Sequence, residues 1–376
     1  MCQKSLQTSK GYRCVMVTLP ANFESSIISQ EDEELHRILA NRKARIKVIG
    51  CGGAGNNTIN RIFEIGIIGV ETIAVNTDAQ DLIATVADKK ILIGKELTAG
   101  LGAGADPKIG EGAAKESEQE LKEALRDSHL LFITCGLGGG TGTGAAPIVA
   151  EVAKKMGILT VAVVTLPFTM EGYARFTNAI EGLEKLEHSV DTLIVIPNDK
   201  LLELAPTLPL HTAFKVADKI LTNAVKGIAE LITKPGLINL DFADVKQIMT
   251  GGGIAMIGVG ESDSEQRAKE AVDKAIQNPL LDVDIEGATG ALINVSGGPN
   301  LTLDEAKRVV EAVTNKLDSK ANIIWGAQLT PDLQNTLRVM LVVTGVHSPQ
   351  IFSKHKTFSD KRKSDLEDNL GIEFVD

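Results

Sequence analysis

Short β-branched segments that alternate with helical patterns constrain the fold of this chain more than any other feature. The segments are RIKVIG (45–50), ETIAVN (71–76), HLLFIT (129–134), LTVAVVT (159–165) and TLIVIP (192–197). This alternation predicts an α/β fold, with a parallel sheet that carries helices on both faces. Several segments end directly in Gly, Asn or Asp. We therefore expect the glycine-rich and polar residues at the carboxyl edge of the sheet, where open α/β sheets bind ligands.

A long helix and a smaller α+β domain are expected to follow. Apolar residues recur at helical spacing from Thr212 to Thr233, and this predicts a buried central helix that ends at Lys234 to Gly236. Four further strands, at 254–260, 290–296, 322–326 and 338–345, enclose two amphipathic helices. The first helix is expected to be capped by Ser262 with Glu265, and the second carries apolar residues from Leu303 to Leu317.

These patterns divide the chain into five parts. The predicted parts are an N-terminal extension (1–28), an α/β domain that opens with a charged helix capped by Ser29 (29–205), the central helix (206–235), the second domain (236–347) and a C-terminal tail (348–376).

Composition excludes several classes of protein. The net charge of −10 and the pI near 5.3 argue against nucleic acid as the main partner, because binding to a phosphate backbone needs clustered positive charge. The four cysteines form no metal or disulfide motif, and no apolar run approaches the 18 residues of a membrane helix. We expect a cytoplasmic protein that does not insert into a membrane.

The first glycine-rich segment, GCGGAGNN (50–57), follows a strand and opens a helix. Its backbone amides could meet phosphate oxygens. The candidate residues are Gly52, Gly53, Ala54, Gly55, Asn56 and Asn57. The GxGxxG pattern alone is also typical of a dinucleotide site, in which Asp78 could bind the ribose, and of a purely structural tight turn.

The second segment, GGGTGTG, is more specific. It comprises Gly138, Gly139, Gly140, Thr141, Gly142, Thr143 and Gly144, before a helix expected from about Ala145. Such a loop presents a row of amides, and its two threonines add hydroxyl donors, which suits a polyphosphate. A third loop, GLGAGADP (100–107), repeats this pattern more weakly.

No GxxxxGK[ST] motif occurs in the sequence, so this is not a Walker-type nucleotide site. Without the phosphate-binding lysine, backbone dipoles and a Mg²⁺ ion held by phosphate oxygens and water must offset the charge of the phosphates. We expect no protein side chain as a metal ligand.

Together with these loops, four further segments match a known family in order: AVNTDAQ (74–80), TLPFTMEGYAR (165–175), IPNDKLLE (196–203) and PGLINLDFADV (235–245). From about residue 44 to 347, the sequence resembles the FtsZ family of cell-division GTPases, the prokaryotic relatives of tubulin. The N-terminal extension is more typical of archaeal members than of bacterial ones.

The resemblance implies a protein that binds GTP and GDP and polymerises head to tail at the division site. Gly52 to Asn56 and Gly138 to Gly144 would hold the phosphates, with Ala103 and Gly104 near the γ-phosphate. The other implied roles are ribose or nucleotide contacts for Glu171 and Arg175, stacking on guanine for Phe214, and reading of the guanine edge for Asn198 and Asp218. A carboxylate at Asp218 suits guanine, which offers two adjacent N–H donors.

The resemblance also implies that hydrolysis is completed by the next subunit. Asp241 and Asp244, with Asn239, would lie against the neighbour's nucleotide. Without the resemblance, the local sequence would favour an Asx-type turn or a helix cap for the two aspartates. The tail does not match the bacterial adaptor-binding peptide. Its apolar residues Leu370 to Val375 could still bind a membrane-tethering or regulatory adaptor protein.

Two other functions remain open at this point. The GxGxxG pattern alone would fit an NAD-dependent oxidoreductase, but the second glycine loop has no role in such an enzyme. The other is a structural filament protein that binds the nucleotide without hydrolysing it.

Overall fold

The computed structural model describes residues 44–67, 69–200, 210–234, 236–238, 241–277, 287–318 and 320–346. The proposed N-terminal extension, the capped helix predicted from Ser29, Asn239, and the tail from residue 348 lie outside the described residues. Among the described residues, no helix is both long and apolar enough to span a membrane.

One ten-stranded sheet runs through the molecule in the order β3-β2-β1-β4-β5-β6-β7-β10-β8-β9. All pairings from β3 to β7 are parallel, whereas β10 runs antiparallel to both β7 and β8. The strands are β1 (Ile46–Cys51), β2 (Val70–Asn76), β3 (Lys89–Leu92), β4 (Leu130–Gly136), β5 (Leu159–Leu166), β6 (Thr192–Pro197), β7 (Gly253–Ser262), β8 (Gly290–Gly297), β9 (Asn322–Leu329) and β10 (Leu337–Thr344).

Helices cover both faces of this sheet. They are α1 (Gly52–Ile65), α2 (Ala79–Ala84), α3 (Lys95–Thr98), α4 (Pro107–Glu116), α5 (Glu118–Leu125), α6 (Thr141–Lys155), α7 (Tyr173–Ser189), α8 (Leu210–Thr233), α9 (Phe242–Met249), α10 (Arg267–Ile276) and α11 (Leu303–Thr314).

The register between β6 and β7 shows which residues of the two halves share a face of the sheet. Leu193 pairs with Ile254 on one face, and Ile194 pairs with Ala255 on the other. The first face carries two separate cores, one beneath α4 to α7 and one beneath α10 and α11. The second face carries a single core beneath α1, α8 and α9. This core joins the two halves of the sheet.

The central helix α8 contributes most to that shared core. Its residues Leu221, Val225 and Ile228 are buried in a cluster that also contains Met340 of β10. A Cβ on Gly227 would lie 2.1 Å from the sulfur of Met340, so the helix backbone lies directly on the second half of the sheet. The predicted central helix is confirmed over Leu210–Thr233.

The predicted fold class is confirmed, but β3 was not predicted and two local predictions were wrong. Helix α6 begins at Thr141 rather than Ala145. Ser262 does not cap α10, because it is the last residue of β7 and its hydroxyl donates to Glu270 at 2.6 Å. The exact domain limits stay a prediction.

Candidate functional site

A cavity of about 350 Å³ opens at the carboxyl ends of β1, β4, β5 and β6. This is the sheet edge at which the sequence predicted a ligand. Its lining residues are Cys51, Gly52, Gly53, Ala54, Gly136, Leu137, Gly139, Gly140, Thr141, Gly142, Thr165, Pro167, Glu171, Arg175, Asn198 and Asp218. The volume lies in the range of small-molecule sites.

Two helix N-termini meet at this cavity. A Cβ on Gly52, where φ is +71°, would lie 2.9 Å from the backbone nitrogen of Gly142, so the first turns of α1 and α6 touch through bare backbone. Neither helix has a side-chain cap at its N-terminus. Their first N–H groups and both helix dipoles are therefore available to an anion such as a phosphate.

The glycines of the second loop have different surroundings. A Cβ on Gly139 would meet nothing within 4 Å. A Cβ on Gly140 would lie 2.8 Å from the Cβ of Ala103, and one on Gly138 would lie 2.8 Å from the carbonyl oxygen of Arg175. On Gly144 a Cβ would lie 2.0 Å from the carbonyl oxygen of Pro107. Among these four, only Gly139 faces open space.

Both threonines of this loop bond to the protein itself. The hydroxyl of Thr141 lies 2.6 Å from that of Thr77, and Thr143 accepts a 2.9 Å hydrogen bond from the N–H of Gly138. Thr141 lines the cavity and Thr143 does not. Thr143 and Gly144 thus shape the loop and pack the helix, a role that the sequence did not reveal.

The third loop lies against the second one. Ala103 is buried, and its Cβ would lie 2.8 Å from a Cβ added to Gly140. A Cβ on Gly104 would meet nothing within 4 Å. Gly104 has a φ of +56° and Ala105 a φ of +63°. Neither Ala103 nor Gly104 lines the cavity, but the loop packs directly on the turn that does.

Glu171 and Arg175 form a salt bridge of 2.8 Å at the rim of the cavity. Glu171 also accepts a 2.9 Å hydrogen bond from the N–H of Phe168, which fixes its carboxylate. Asn198 follows β6 directly and is buried, and its Oδ1 has no hydrogen-bond partner among the described residues. A buried acceptor of this kind points to a ligand that donates to it.

Asp218 brings a carboxylate from α8 to the cavity. Burial raises the pKa of this carboxyl from 3.8 to about 6, and the nearby charge of Arg61 opposes the rise. Arg61 was not predicted, since a lone charged residue on α1 gives no signal in the sequence. Phe214 lies one helical turn before Asp218 on α8, and its side chain is outside the part that the structure describes.

The remaining candidates lie near the cavity without lining it. Gly55 packs on β4, because a Cβ there would lie 2.6 Å from the carbonyl oxygen of Thr134. Asn56 is buried, and neither of its side-chain polar atoms has a partner in the described part of the chain. Asn57 is exposed. Asp78 caps α2 by accepting from the N–H groups of Gln80 and Asp81.

Asp241 and Asp244 form a reciprocal cap at the start of α9. Asp241 accepts from the N–H of Asp244 at 2.8 Å, and Asp244 accepts from the N–H of Asp241 at 3.1 Å. Between them, Phe242 packs edge-on against His129, with ring centroids 6.2 Å apart. The Nδ1 of His129 accepts from the N–H of Arg45, so this contact lies where β1 and β4 begin. The two aspartates are therefore at the sheet edge opposite to the cavity.

Comparison with known proteins shows the family to which the chain belongs. The profile described as the Tubulin/FtsZ family, GTPase domain, matches residues 45–206, and that of the FtsZ family, C-terminal domain, matches residues 253–347. The chain is 65% identical over 326 residues to "Cell division protein FtsZ 1" of Methanocaldococcus jannaschii, covering 87% of this chain and 90% of that one. It is 64% identical over 329 residues to the protein of the same name from Pyrococcus furiosus, with 88% of each chain covered. The chain belongs to the Tubulin/FtsZ family.

Solved structures agree with this assignment. The structure titled "FtsZ dimer, empty (M. jannaschii)" superposes with a TM-score of 0.79 at 66% identity, and covers 84% of this chain and 92% of that one. CetZ1 from Haloferax volcanii, at 22% identity and a TM-score of 0.75, shares the fold.

Membership in the Tubulin/FtsZ family confirms the interpretation of the chain as a GTP-binding, polymerising GTPase. Neither the dehydrogenase nor the non-hydrolysing filament is supported. Sequence reasoning missed several lining residues, namely Cys51, Gly136, Leu137, Thr165 and Pro167. Thr165 and Pro167 lie within a segment that carried the resemblance, but nothing in their residue type marked them as part of a site. No group of three or more His, Cys, Asp or Glu side chains that could hold a metal ion occurs among the described residues.

Proposed function

We propose that this chain is a cell-division GTPase of the FtsZ type that stacks head to tail and completes its hydrolytic site across the contact between subunits. The observation that carries the proposal is the position of Asp241 and Asp244. They lie at the amino ends of β1 and β4, and the glycine cavity lies at the carboxyl ends of the same strands. Within one chain the aspartates cannot reach the nucleotide, since the sheet separates them.

A heterologous stack brings the two edges together. When one subunit sits on the next with the same orientation, the α9 edge of one meets the cavity edge of its neighbour, and repetition gives a filament. The two carboxylates, with Asn239, would then orient and polarise the water that attacks the γ-phosphate. An aspartate is a weak base at neutral pH, so positioning contributes more than proton abstraction.

The cavity suits a guanine nucleotide. The amides of Gly52, Gly139 and Gly142 would hold phosphate oxygens, Glu171 and Arg175 would contact the ribose, and the Asp218 carboxylate would accept from the two adjacent N–H donors of guanine. Asn198, whose buried Oδ1 lacks a partner among the described residues, would pair with the base. Phe214 would stack on it.

Mg²⁺ would be carried by phosphate oxygens and water. The site offers backbone amides and few carboxylates, which fits a metal that arrives with the phosphates. When bound, the ion would neutralise the charge that develops on the β- and γ-phosphates. The tail beyond residue 348 would bind adaptor proteins that tether the filament at the division site.

Light scattering and phosphate release after addition of GTP with Mg²⁺ test this function. GTP should produce both signals, and ATP or NAD should produce neither. A rate of phosphate release per subunit that does not change with protein concentration, with no scattering, would mean that hydrolysis is complete within one subunit.

A further inference from the structure

A second groove, of about 460 Å³, lies between α4, α6 and α7 and shares no lining residue with the nucleotide cavity. Pro147 and Ile148 of α6 supply its apolar part. Its other lining residues are Glu111, Gly144, Glu151, Glu184, Lys185, His188 and Ser189. The proposed GTPase reaction uses none of these charged side chains.

Three carboxylates and one lysine, Lys185, are among the residues that line this groove. Glu111 is neutralised, since Lys115 lies 2.7 Å and Lys185 3.0 Å from its carboxylate, and these lysines lower its pKa. Glu151 has a loose pair with Lys155 at 3.8 Å and also feels the charge of Lys115, while Lys154 donates to the carbonyl of His188 at 3.3 Å. In the part of the chain that the structure describes, no cation lies within salt-bridge distance of Glu184. The groove therefore presents two carboxylates, Glu151 and Glu184, beside an apolar surface.

The chain enters its C-terminal tail close to this groove. The N–H of Gly345 donates to the carbonyl of Gly252 at 2.8 Å, and the N–H of Gly253 donates to the carbonyl of Asp191 at 3.1 Å. Asp191 follows the last lining residues of the groove, His188 and Ser189, within three positions. Val346 packs in the core beneath α10 and α11, on the same face of the sheet as α7. The tail thus starts on the groove side of the molecule.

The first part of the tail has the complementary charge. Residues 353–364, SKHKTFSDKRKS, hold five basic side chains, Lys354, Lys356, Lys361, Arg362 and Lys363, against a single acidic one, and one aromatic residue, Phe358. Lys354 is eight positions beyond Val346, a reach of about 25 Å when extended at ~3.3 Å per residue. This reach starts beside the loop that follows α7, since hydrogen bonds through Gly252 and Gly253 link Gly345 to Asp191.

We propose that residues 353–364 dock in the groove between α6 and α7 of their own chain. The basic side chains pair with Glu151 and Glu184, and Phe358 covers Pro147 and Ile148. The short tether favours the same chain as the source of the segment, since it supplies an effective concentration in the millimolar range. Because the pairing is electrostatic and at the surface, rising salt releases the tail.

Intramolecular cross-linking of the full chain tests this contact. His188→Cys marks the groove and Ser359→Cys marks the tail, and both substitutions leave the groove carboxylates and the basic residues of the tail intact. Cys2 and Cys14 are replaced by serine, while Cys51 and Cys135 are buried and stay. The control pair joins Ser359→Cys to Asn315→Cys, an exposed position at the end of α11. A short bis-maleimide reagent is added without nucleotide at low protein concentration.

We expect the groove pair to cross-link within one chain about ten times faster than the control pair, an advantage that 0.5 M salt removes. Reversal of the groove charge, with Glu151→Lys and Glu184→Lys, should abolish the advantage. Adding Lys361→Glu and Lys363→Glu to that background should restore it. Equal rates for both pairs, or rates insensitive to groove charge, would overturn the proposal. Cross-links found only between two chains would overturn it as well, by making a second copy the source of the tail.

Discussion

Asp241 and Asp244 cap each other's backbone N–H groups, at 2.8 and 3.1 Å, at the first turn of α9. The two proposed catalytic carboxylates are therefore also structural. This double role dictates which substitutions can separate hydrolysis from folding.

The first prediction compares two variants at Asp241. Asparagine retains the capping oxygen and removes the charge, whereas alanine removes both. Both variants should bind GTP and polymerise but release phosphate at least tenfold more slowly. Only Asp241→Ala should lose about 1 kcal/mol of stability through the missing cap. Phosphate release and thermal unfolding measure the two effects. Full activity in Asp241→Asn would show that the carboxylate has no part in hydrolysis.

A second prediction separates phosphate contact from packing in the second glycine loop. A side chain at Gly139 enters open space in the cavity, while one at Gly140 collides with Ala103 and lies 3.0 Å from the N–H of Asp106. Gly139→Val should lose GTP affinity by at least tenfold and keep its unfolding temperature. Gly140→Ala should lose stability by about 1–3 kcal/mol, because overpacking shifts the neighbouring loop. Calorimetric titration and denaturant unfolding of both variants check this, and wild-type affinity in Gly139→Val would place the phosphates elsewhere.

The third prediction concerns pH. Burial raises the pKa of Asp218 from 3.8 to about 6, and only the carboxylate form can accept both guanine donors. GTP affinity should therefore fall about tenfold between pH 7 and pH 5, as Asp218 takes up a proton. Asp218→Asn should bind GTP weakly with a flat profile over this range. A wild-type profile that is also flat would contradict the assignment.

The same shift predicts a stability effect with a defined sign. The pKa of Asp218 is higher in the folded state than in the unfolded state. Its contribution to the free energy of unfolding is therefore favourable below pH 3.8 and is lost as pH rises through 6. At pH 7 the nucleotide-free protein holds a partly desolvated carboxylate. Asp218→Asn should thus stabilise it by about 1 kcal/mol at pH 7 and by nothing at pH 4. Urea unfolding at the two pH values measures the difference.

A fourth prediction addresses the second half of the sheet. Arg267 of α10 binds both carboxylate oxygens of Glu305 on α11, at 2.6 and 3.1 Å, and also bonds to the carbonyl of Asn335. This pairing holds the pKa of Glu305 at about 2, well below 4.5. The stabilisation of the folded state by the Arg267–Glu305 pair is present above pH 4.5 and is lost as pH falls toward 2.

Arg267→Ala should therefore destabilise the protein by about 2–3 kcal/mol at pH 7, and by less at pH 3. Arg267→Lys keeps the charge without the two-pronged geometry and should recover only part of the loss. GTP affinity should not change in either variant, since the nucleotide cavity lies in the other half of the sheet. A large loss of affinity would mean that the halves are coupled through the shared core.

The sequence predicted the long, apolar elements well because their signal is strong. TLIVIP was predicted at 192–197 and forms β6 over the same residues. β3 was not predicted because KKIL is short and begins with two lysines, which is typical of an edge strand but also of a loop. The predicted start of helix α6 was too late because glycine and threonine are weak helix formers and argue against helix at residues 141–144. Contacts of Gly142 and Gly144 with neighbouring backbone, which no local pattern reveals, hold its first turn in place.

For the candidate site, the sequence identified the phosphate loops but not the role of each residue. Gly139 and Gly144 look alike in GGGTGTG, and only the fold shows that one faces the cavity while the other packs against α4. Likewise, Asp78 was a candidate ribose ligand, and the fold uses its carboxylate to cap α2. Such distinctions depend on contacts between distant segments, so residue type and spacing could not supply them.

The most direct test of the shared hydrolytic site mixes two inactive proteins. Asp241→Asn binds GTP and keeps its cap but lacks the catalytic carboxylate. Gly139→Val, at a GTP concentration well below its weakened Kd, holds little GTP but presents an intact α9 edge. In a random head-to-tail copolymer at equal amounts, half of the Asp241→Asn subunits meet an intact neighbour, so phosphate release should recover to about a quarter of the wild-type rate. If the two proteins copolymerise, as shown by co-sedimentation, and release no phosphate at any ratio, the site is not shared between subunits.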